Sequence, residues 1–145
     1  MAIQRSATTV WNGTLFEGSG SFNVASGAIS EQPVTWAART ESSGGKTSPE
    51  ELIAAAHASC FSMALSNELA QNDTPAEQLT VTATADFDKT DAGWRILSIT
   101  LDALGNVPGI DDSVFQEKAE AAKTGCPISN ALNPSITLTL NAKLA

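Results

Sequence analysis

The stretch SPEELIAAAHASCFSMAL, residues 48–65, predicts the longest helix of the chain. Ser48 is a typical N-cap, Pro49 suits the first helical position, and Glu51 stands three residues after the cap. Good helix formers continue as far as residue 72, so the helix over 48–72 would be about 34 Å long. Because apolar residues occupy nearly all of its sides, we expect a central helix that a second subunit could share.

The segments around this helix indicate an α+β fold. Three short β-prone stretches before it, residues 10–11, 20–24 and 34–37, are typical of a meander, and a loop over 41–46 follows. The pattern after it predicts, in order, a strand over 79–87, a turn over 88–93, a strand over 94–104 with a bulge near 96–97, a helix from Asp112 or Ser113 to Gly125, a Cys-Pro turn over 126–132 and a strand over 136–144. We predict one domain over 1–145, with the meander in 1–46, the helix in 48–72 and the remaining elements in 79–145.

Composition and charge exclude several classes of protein. A chain of 145 residues is the usual length of one domain. Eight Lys and Arg against sixteen Asp and Glu give a net charge of −8, which argues against nucleic-acid binding and against anionic membrane surfaces. There is no apolar run near the roughly 20 residues of a membrane helix, and the N-terminus lacks the apolar core of a secretory signal. We therefore expect a cytoplasmic protein.

The two cysteines are the residues most open to chemistry. They are too few for a disulfide scaffold, and together with the single histidine they form a poor zinc set. In a reducing compartment, two thiols are either inert core residues or a redox pair.

Cys60 and Cys126 lie in different local settings. Cys60 is in the middle of the long helix, where a free cysteine often packs as a small hydrophobe; a reactive thiolate there would need a cation nearby. Cys126 follows Gly125 and precedes Pro127, so it stands at a helix start, where free N–H groups favour an anion. Local electrostatics therefore favour Cys126 as the more acidic thiol, although a small residue filling a corner between helices would fit the same pattern.

His57 precedes Cys60 by three residues and could imitate a Cys–His dyad. Side chains three residues apart on one helix point outward side by side, however, and no acidic or amide residue is evidently placed to orient the ring. We expect a core or interface histidine.

The residues that carry a family resemblance are the stretch 48–65 and the motif GCPIS at 125–129. Together they resemble the OsmC/Ohr family of thiol-dependent hydroperoxide reductases. The motifs VPGID at 107–111 and WNG at 11–13 are similar to the OsmC branch, and the resemblance covers nearly the whole chain.

The resemblance implies an intertwined homodimer whose long central helices pack between antiparallel β-sheets. It implies reduction of organic hydroperoxides and of hydrogen peroxide, with Cys60 as the attacking thiol and Cys126 as the resolving thiol. Glu50 matches the family's glutamate, and Arg39 matches the arginine that precedes the loop leading to the helix. The implied reductant is an external dithiol, a dihydrolipoyl protein, and no metal, haem or flavin is implied.

Local electrostatics favour Cys126 as the more acidic thiol, whereas the resemblance implies that Cys60 is the attacking thiol. A reactive Cys60 therefore requires a cation nearby. A guanidinium close to Cys60 would lower its pKa by about one to three units, and Glu50 would hold Arg39 by a bidentate pair. Ten helical residues separate Glu50 from Cys60, a rise of about 15 Å. We therefore expect either that Arg39 spans much of this distance or that each site combines residues of two subunits.

Three other interpretations fit the same residues. The chain could be a non-catalytic stress-response protein with two silent cysteines, or a small-ligand-binding protein of the same fold. It could also be a thiol–disulfide oxidoreductase, although it has no Cys-x-x-Cys motif and no βαβ pattern around either thiol.

Overall fold

The computed structural model describes residues 1–145. The elements are, in chain order, β1 (Ala7–Asn12), β2 (Ser19–Val24), β3 (Gln32–Val34), α1 (Trp36–Thr40), α2 (Pro49–Gln71), β4 (Gln78–Thr90), β5 (Gly93–Asn106), α3 (Asp112–Gly125), α4 (Pro127–Leu132) and β6 (Thr137–Leu144). This mixed content confirms the predicted α+β class. The chain divides into two compact units, Met1–Leu52 and Ile53–Ala145.

The first unit contains the predicted meander. Strands β1, β2 and β3 pair antiparallel in that order, with Thr9 opposite Phe22. The strand predicted over 34–37 is wrong beyond Val34, because Trp36 begins α1. The physical reason is an N-cap: Thr35 is extended, and its hydroxyl accepts a hydrogen bond from the Ala38 N–H at 3.2 Å.

Helix α2 confirms the prediction to within one residue at each end. The hydroxyl of Ser48 accepts the Glu51 N–H at 3.1 Å, as an N-cap does. Its buried side is spaced at three and four residues and comprises Ala54, His57, Phe61, Leu65 and Leu69. The opposite side of the helix is exposed in this single chain, and Met63 on that side is 68% accessible. The helix is therefore covered on one side only by its own chain.

The second unit contains a three-stranded sheet in the order β4-β5-β6. Strands β4 and β5 form the predicted hairpin, and the predicted bulge is confirmed at Leu97: Asp86 pairs with Ser98 while Phe87 pairs with Ile96. The expected antiparallel pairing is confirmed for β4 and β5 but is wrong for β6, which lies parallel to β5. The reason is the connection, since α3 and α4 carry the chain back across the sheet and allow a parallel pair.

The core of the second unit positions α3. Side chains of α2, β5 and α3 form one buried cluster, which includes Phe61, Leu101, Phe115 and Cys126. Gly105 of β5 lets α3 approach, because a Cβ atom there would come within 2.5 Å of the Phe115 ring. Phe61 and Phe115 are fully buried, so they are core residues and do not line an open substrate site.

No helix is both long enough and apolar enough to span a membrane.

Candidate active site

Cys126 lies between two helices, where its local sequence places it. It ends α3 and serves as the N-cap of α4, with φ −72° and ψ 118°, and Pro127 follows at the start of α4. Its sulfur accepts a hydrogen bond from the Ser129 N–H at 3.5 Å, and the residue is fully buried. The predicted helix-start setting of Cys126 is thus present.

The structure brings the two thiols together. Cys60 Sγ lies 3.1 Å from Cys126 Sγ, although the residues are 66 positions apart in the sequence. Both thiols are free, and Cys60 is half-buried whereas Cys126 is buried. Since a disulfide bond is about 2.05 Å long, the sulfurs need to approach by about 1 Å to form one. We call Cys60 and Cys126 the sulfur pair.

The surroundings of the sulfur pair favour a negative charge on Cys126. Burial alone would raise the pKa of Cys126, but hydrogen bonds from the Ser129 N–H and hydroxyl, from Cys60 and from the Ile128 N–H together lower it. Burial raises the pKa of Cys60; the Ile128 N–H opposes this, and the neighbouring Cys126 adds to it. These directions agree with the local electrostatic prediction and leave Cys60 in need of a cation.

Arg39 and Glu50 form a close ion pair in the first unit. Arg39 Nη2 donates to Glu50 Oε1 at 2.6 Å, and Arg39 Nε donates to Oε1 at 3.0 Å and to Oε2 at 3.1 Å. Glu50 is only 6% exposed, and the guanidinium carbon lies 5.6 Å from the centre of the Trp36 ring. A bidentate, partly buried pair of this kind orients a guanidinium strongly. We call Arg39 and Glu50 the ion pair.

An apolar groove in the first unit includes Arg39 in its lining. Its volume is about 690 Å³. The other lining residues are mostly apolar, among them Trp11, Leu15, Phe22, Val34, Trp36 and Leu52. A groove with one guanidinium among aromatic and aliphatic side chains suits a ligand that has an alkyl part and a polar end.

His57 and Ser129 join the surroundings of the sulfur pair, and the sequence pattern did not connect them. His57 is fully buried, as a core histidine would be, and its Nε2 lies 2.8 Å from Ser129 Oγ. Its Nδ1 has no hydrogen-bond partner. The one available signal was the position of Ser129, three residues after the N-cap Cys126, where the N–H points back at the capping atom.

No group of three or more His, Cys, Asp or Glu side chains is arranged to hold a metal ion.

Comparison with known proteins gives consistent matches. A family model described as OsmC-like protein matches residues 42–141. The peroxiredoxin OsmC of Escherichia coli K12 is 41% identical over 143 residues, which covers 99% of each chain. An organic hydroperoxide resistance protein-like protein of Staphylococcus aureus USA300 is 34% identical over 109 residues, covering 72% of this chain and 74% of its own.

Solved structures share the fold. The organic hydroperoxide resistance protein OsmC of Legionella pneumophila matches with a TM-score of 0.78 at 21% identity over 99% of both chains. An organic hydroperoxide resistance protein of Elizabethkingia anophelis matches with a TM-score of 0.78 at 23% identity over the full length of both chains. At these identities the likeness concerns the fold alone.

Proposed function

Because the chain belongs to the OsmC-like protein family, we propose that it is a cysteine-based peroxidase that reduces organic hydroperoxides to alcohols and hydrogen peroxide to water. The observation that carries this proposal is the 3.1 Å separation of the sulfur pair. Two free thiols at that distance can be oxidised to a disulfide with little movement of the backbone.

Accessibility supports Cys60 as the thiol that takes the first step. Cys126 is fully buried, whereas Cys60 is half-buried and open to a small substrate. The Cys60 thiolate attacks one oxygen of the O–O bond, that bond breaks, and the alkoxide leaves and takes a proton to become the alcohol. Cys60 is then a sulfenic acid.

The second step closes the disulfide. The Cys126 thiolate attacks the sulfenic sulfur of Cys60, the S–O bond breaks, and hydroxide leaves and becomes water. An external dithiol then reduces the disulfide by thiol–disulfide exchange and restores both thiols. The family resemblance supports a dihydrolipoyl protein as this reductant.

Arg39 is proposed as the cation that keeps Cys60 ionised, with Glu50 as the residue that holds it. The surroundings of Cys60 in the second unit raise its pKa. An arginine is always charged and is therefore a dependable partner for a thiolate. The bidentate hydrogen bonding of Arg39 to both carboxylate oxygens of Glu50 supports this role, because it holds the guanidinium in one orientation.

The apolar groove supports an organic substrate. Its aromatic and aliphatic lining would accept the alkyl part of a hydroperoxide, and Arg39 would face the polar end. The exposed side of α2, with Met63 on it, supports the proposed homodimer, because a second subunit would cover it. A reducing cytoplasm would suit a protein whose thiols work in the reduced form.

Anaerobic thiol counting before and after one equivalent of an organic hydroperoxide tests the proposal. We expect both thiols to disappear, one alcohol to form for each protein chain, and peptide mapping to find one Cys60–Cys126 cross-link. A chain that keeps both thiols would contradict a peroxidase and favour a non-catalytic or ligand-binding protein.

A further inference from the structure

The proposed reaction uses no imidazole, yet α2 buries one beside the sulfur pair. His57 lies one helical turn before Cys60 on α2, and its ring reaches the hydroxyl of Ser129 on α4 at 2.8 Å. Ser129 also donates its N–H to the sulfur of Cys126 at 3.5 Å, and its hydroxyl helps to lower the pKa of that thiol. Ser129 therefore connects the ring to the buried thiol.

The unpartnered Nδ1 of His57 determines which atoms donate in these hydrogen bonds. A neutral imidazole carries one proton, on Nδ1 or on Nε2. A proton on Nδ1 would be a buried donor without an acceptor, since Nδ1 has no partner, and buried N–H groups without acceptors are rare. The proton therefore belongs on Nε2, which donates to Ser129 Oγ.

Ser129 can then act on the thiol. A hydroxyl has one proton to donate and can accept in addition. Because its oxygen already accepts from His57, its own proton is available to the sulfur of Cys126. Hydrogen bonds in such a chain polarise one another, so a donor to Ser129 makes Ser129 a better donor.

We propose that His57 is a positioning residue that acts through the Ser129 hydroxyl and keeps Cys126 as the thiolate that closes the disulfide. The inference rests on the proposed function, which makes Cys126 the resolving thiol. In that step the Cys126 sulfur donates an electron pair to form the new S–S bond, and the S–O pair leaves with hydroxide, so a protonated Cys126 would first have to release its proton. Faster closure leaves the Cys60 sulfenic acid less time to be oxidised further to a sulfinic acid.

The groups that face Cys126 are consistent with this role. From α2 it faces Cys60 and, through Ser129, His57; from α4 it faces the Ser129 hydroxyl and the N–H groups of Ile128 and Ser129. Burial lowers the pKa of His57, so the ring is neutral at neutral pH and supplies a hydrogen bond without a charge.

The titration of Cys126 alone tests the inference. In a Cys60→Ala background, the thiolate absorbance of Cys126 is followed against pH for the parent, His57→Leu, Ser129→Ala and His57→Gln. We expect His57→Leu and Ser129→Ala to raise the pKa of Cys126 by about one unit, because each weakens a hydrogen bond to a charged group. The Gln amide can donate in place of Nε2, so His57→Gln should restore most of the shift.

A second measurement uses the chain with both cysteines. After one equivalent of hydroperoxide, disulfide formation at neutral pH should be about tenfold slower in His57→Leu, and the difference should vanish at high pH, where Cys126 is ionised in either protein. A purely structural role would slow closure equally at every pH.

The outcomes separate the two proposals. Equal pKa values of Cys126 in His57→Leu and His57→Gln would overturn the role of His57 while leaving the peroxidase intact. If His57→Leu does not fold, an unchanged pKa in Ser129→Ala would overturn the role in the same way. A chain with both cysteines that loses no thiol to hydroperoxide would refute the peroxidase, and the titration in the Cys60→Ala background would still judge the hydrogen-bond chain.

Discussion

The sulfur pair and the ion pair each join two side chains at hydrogen-bonding distance, but they are assembled differently. The ion pair spans eleven residues and links α1 to the first turn of α2. The sulfur pair spans 66 residues and depends on the core that packs α3 against α2 and β5. The first is a local structure, whereas the second exists only when the second unit is folded.

The two pairs also handle charge differently. In the ion pair, opposite charges compensate each other, and the buried carboxylate of Glu50 is satisfied by the guanidinium. In the sulfur pair, a negative charge on Cys126 is satisfied by neutral hydrogen-bond donors. Within the second unit, hydrogen bonds therefore lower the pKa of Cys126, whereas burial raises the pKa of Cys60.

The largest expected effect distinguishes the role of Cys60 from that of Cys126. We expect Cys60→Ser to reduce peroxide turnover to the rate without protein, because the accessible nucleophile is gone. In the matched variant Cys126→Ser, Cys60 should react once and then proceed to sulfinic acid, since no thiol closes the disulfide. Mass analysis after single-turnover oxidation checks both; continued catalysis by Cys60→Ser would refute the assignment of the attacking thiol.

A smaller effect is expected from the ion pair. Arg39→Ala should raise the pKa of Cys60, so the thiolate fraction and the rate of peroxide attack at neutral pH should fall by about tenfold or more. Because a raised pKa removes thiolate below that pKa, the pH profile should shift to higher pH and the loss should shrink there.

Alkylation of Cys60 against pH in a Cys126→Ser background measures this shift. Arg39→Lys, which keeps the charge but cannot grip both oxygens of Glu50, is the matched control and should give an intermediate profile. If the profile of Arg39→Ala coincides with that of the parent, Arg39 has no part in ionising Cys60.

The smallest effect concerns stability. Gly105→Ala would push a methyl group against the Phe115 ring, so we expect the free energy of unfolding to fall by about 1–3 kcal/mol. Gly125→Ala, a helical position with open space around it, should be neutral or stabilise by up to about 1 kcal/mol. Urea denaturation of the two variants checks this difference, and equal stabilities would show that α3 is not seated by this contact.

Local signals predicted much of this structure. The Ser48 cap and Pro49 set the start of α2, and the slip in alternation at 96–97 located the bulge at Leu97. The setting of Cys126 followed from Gly125 and Pro127 on either side of it. In each case the residues that cause the feature are within a few positions of it.

One wrong prediction has a local cause, and the other wrong or missing predictions have distant causes. The strand predicted over 34–37 ignored the capping of α1 by Thr35, which competes with strand propensity at the same residues. The parallel β6 depends on how α3 and α4 cross the sheet, and its own alternation is the same for either direction. The contact between His57 and Ser129 joins residues 72 positions apart.

Helix starts, turns and the acidity of a capping thiol can be read from the chain, because they arise from hydrogen bonds and charges among neighbouring residues. The approach of Cys60 to Cys126 and the link from His57 through Ser129 cannot be read in this way. They require the packed core, because only burial of α2, β5 and α3 against one another brings such distant side chains within hydrogen-bonding distance.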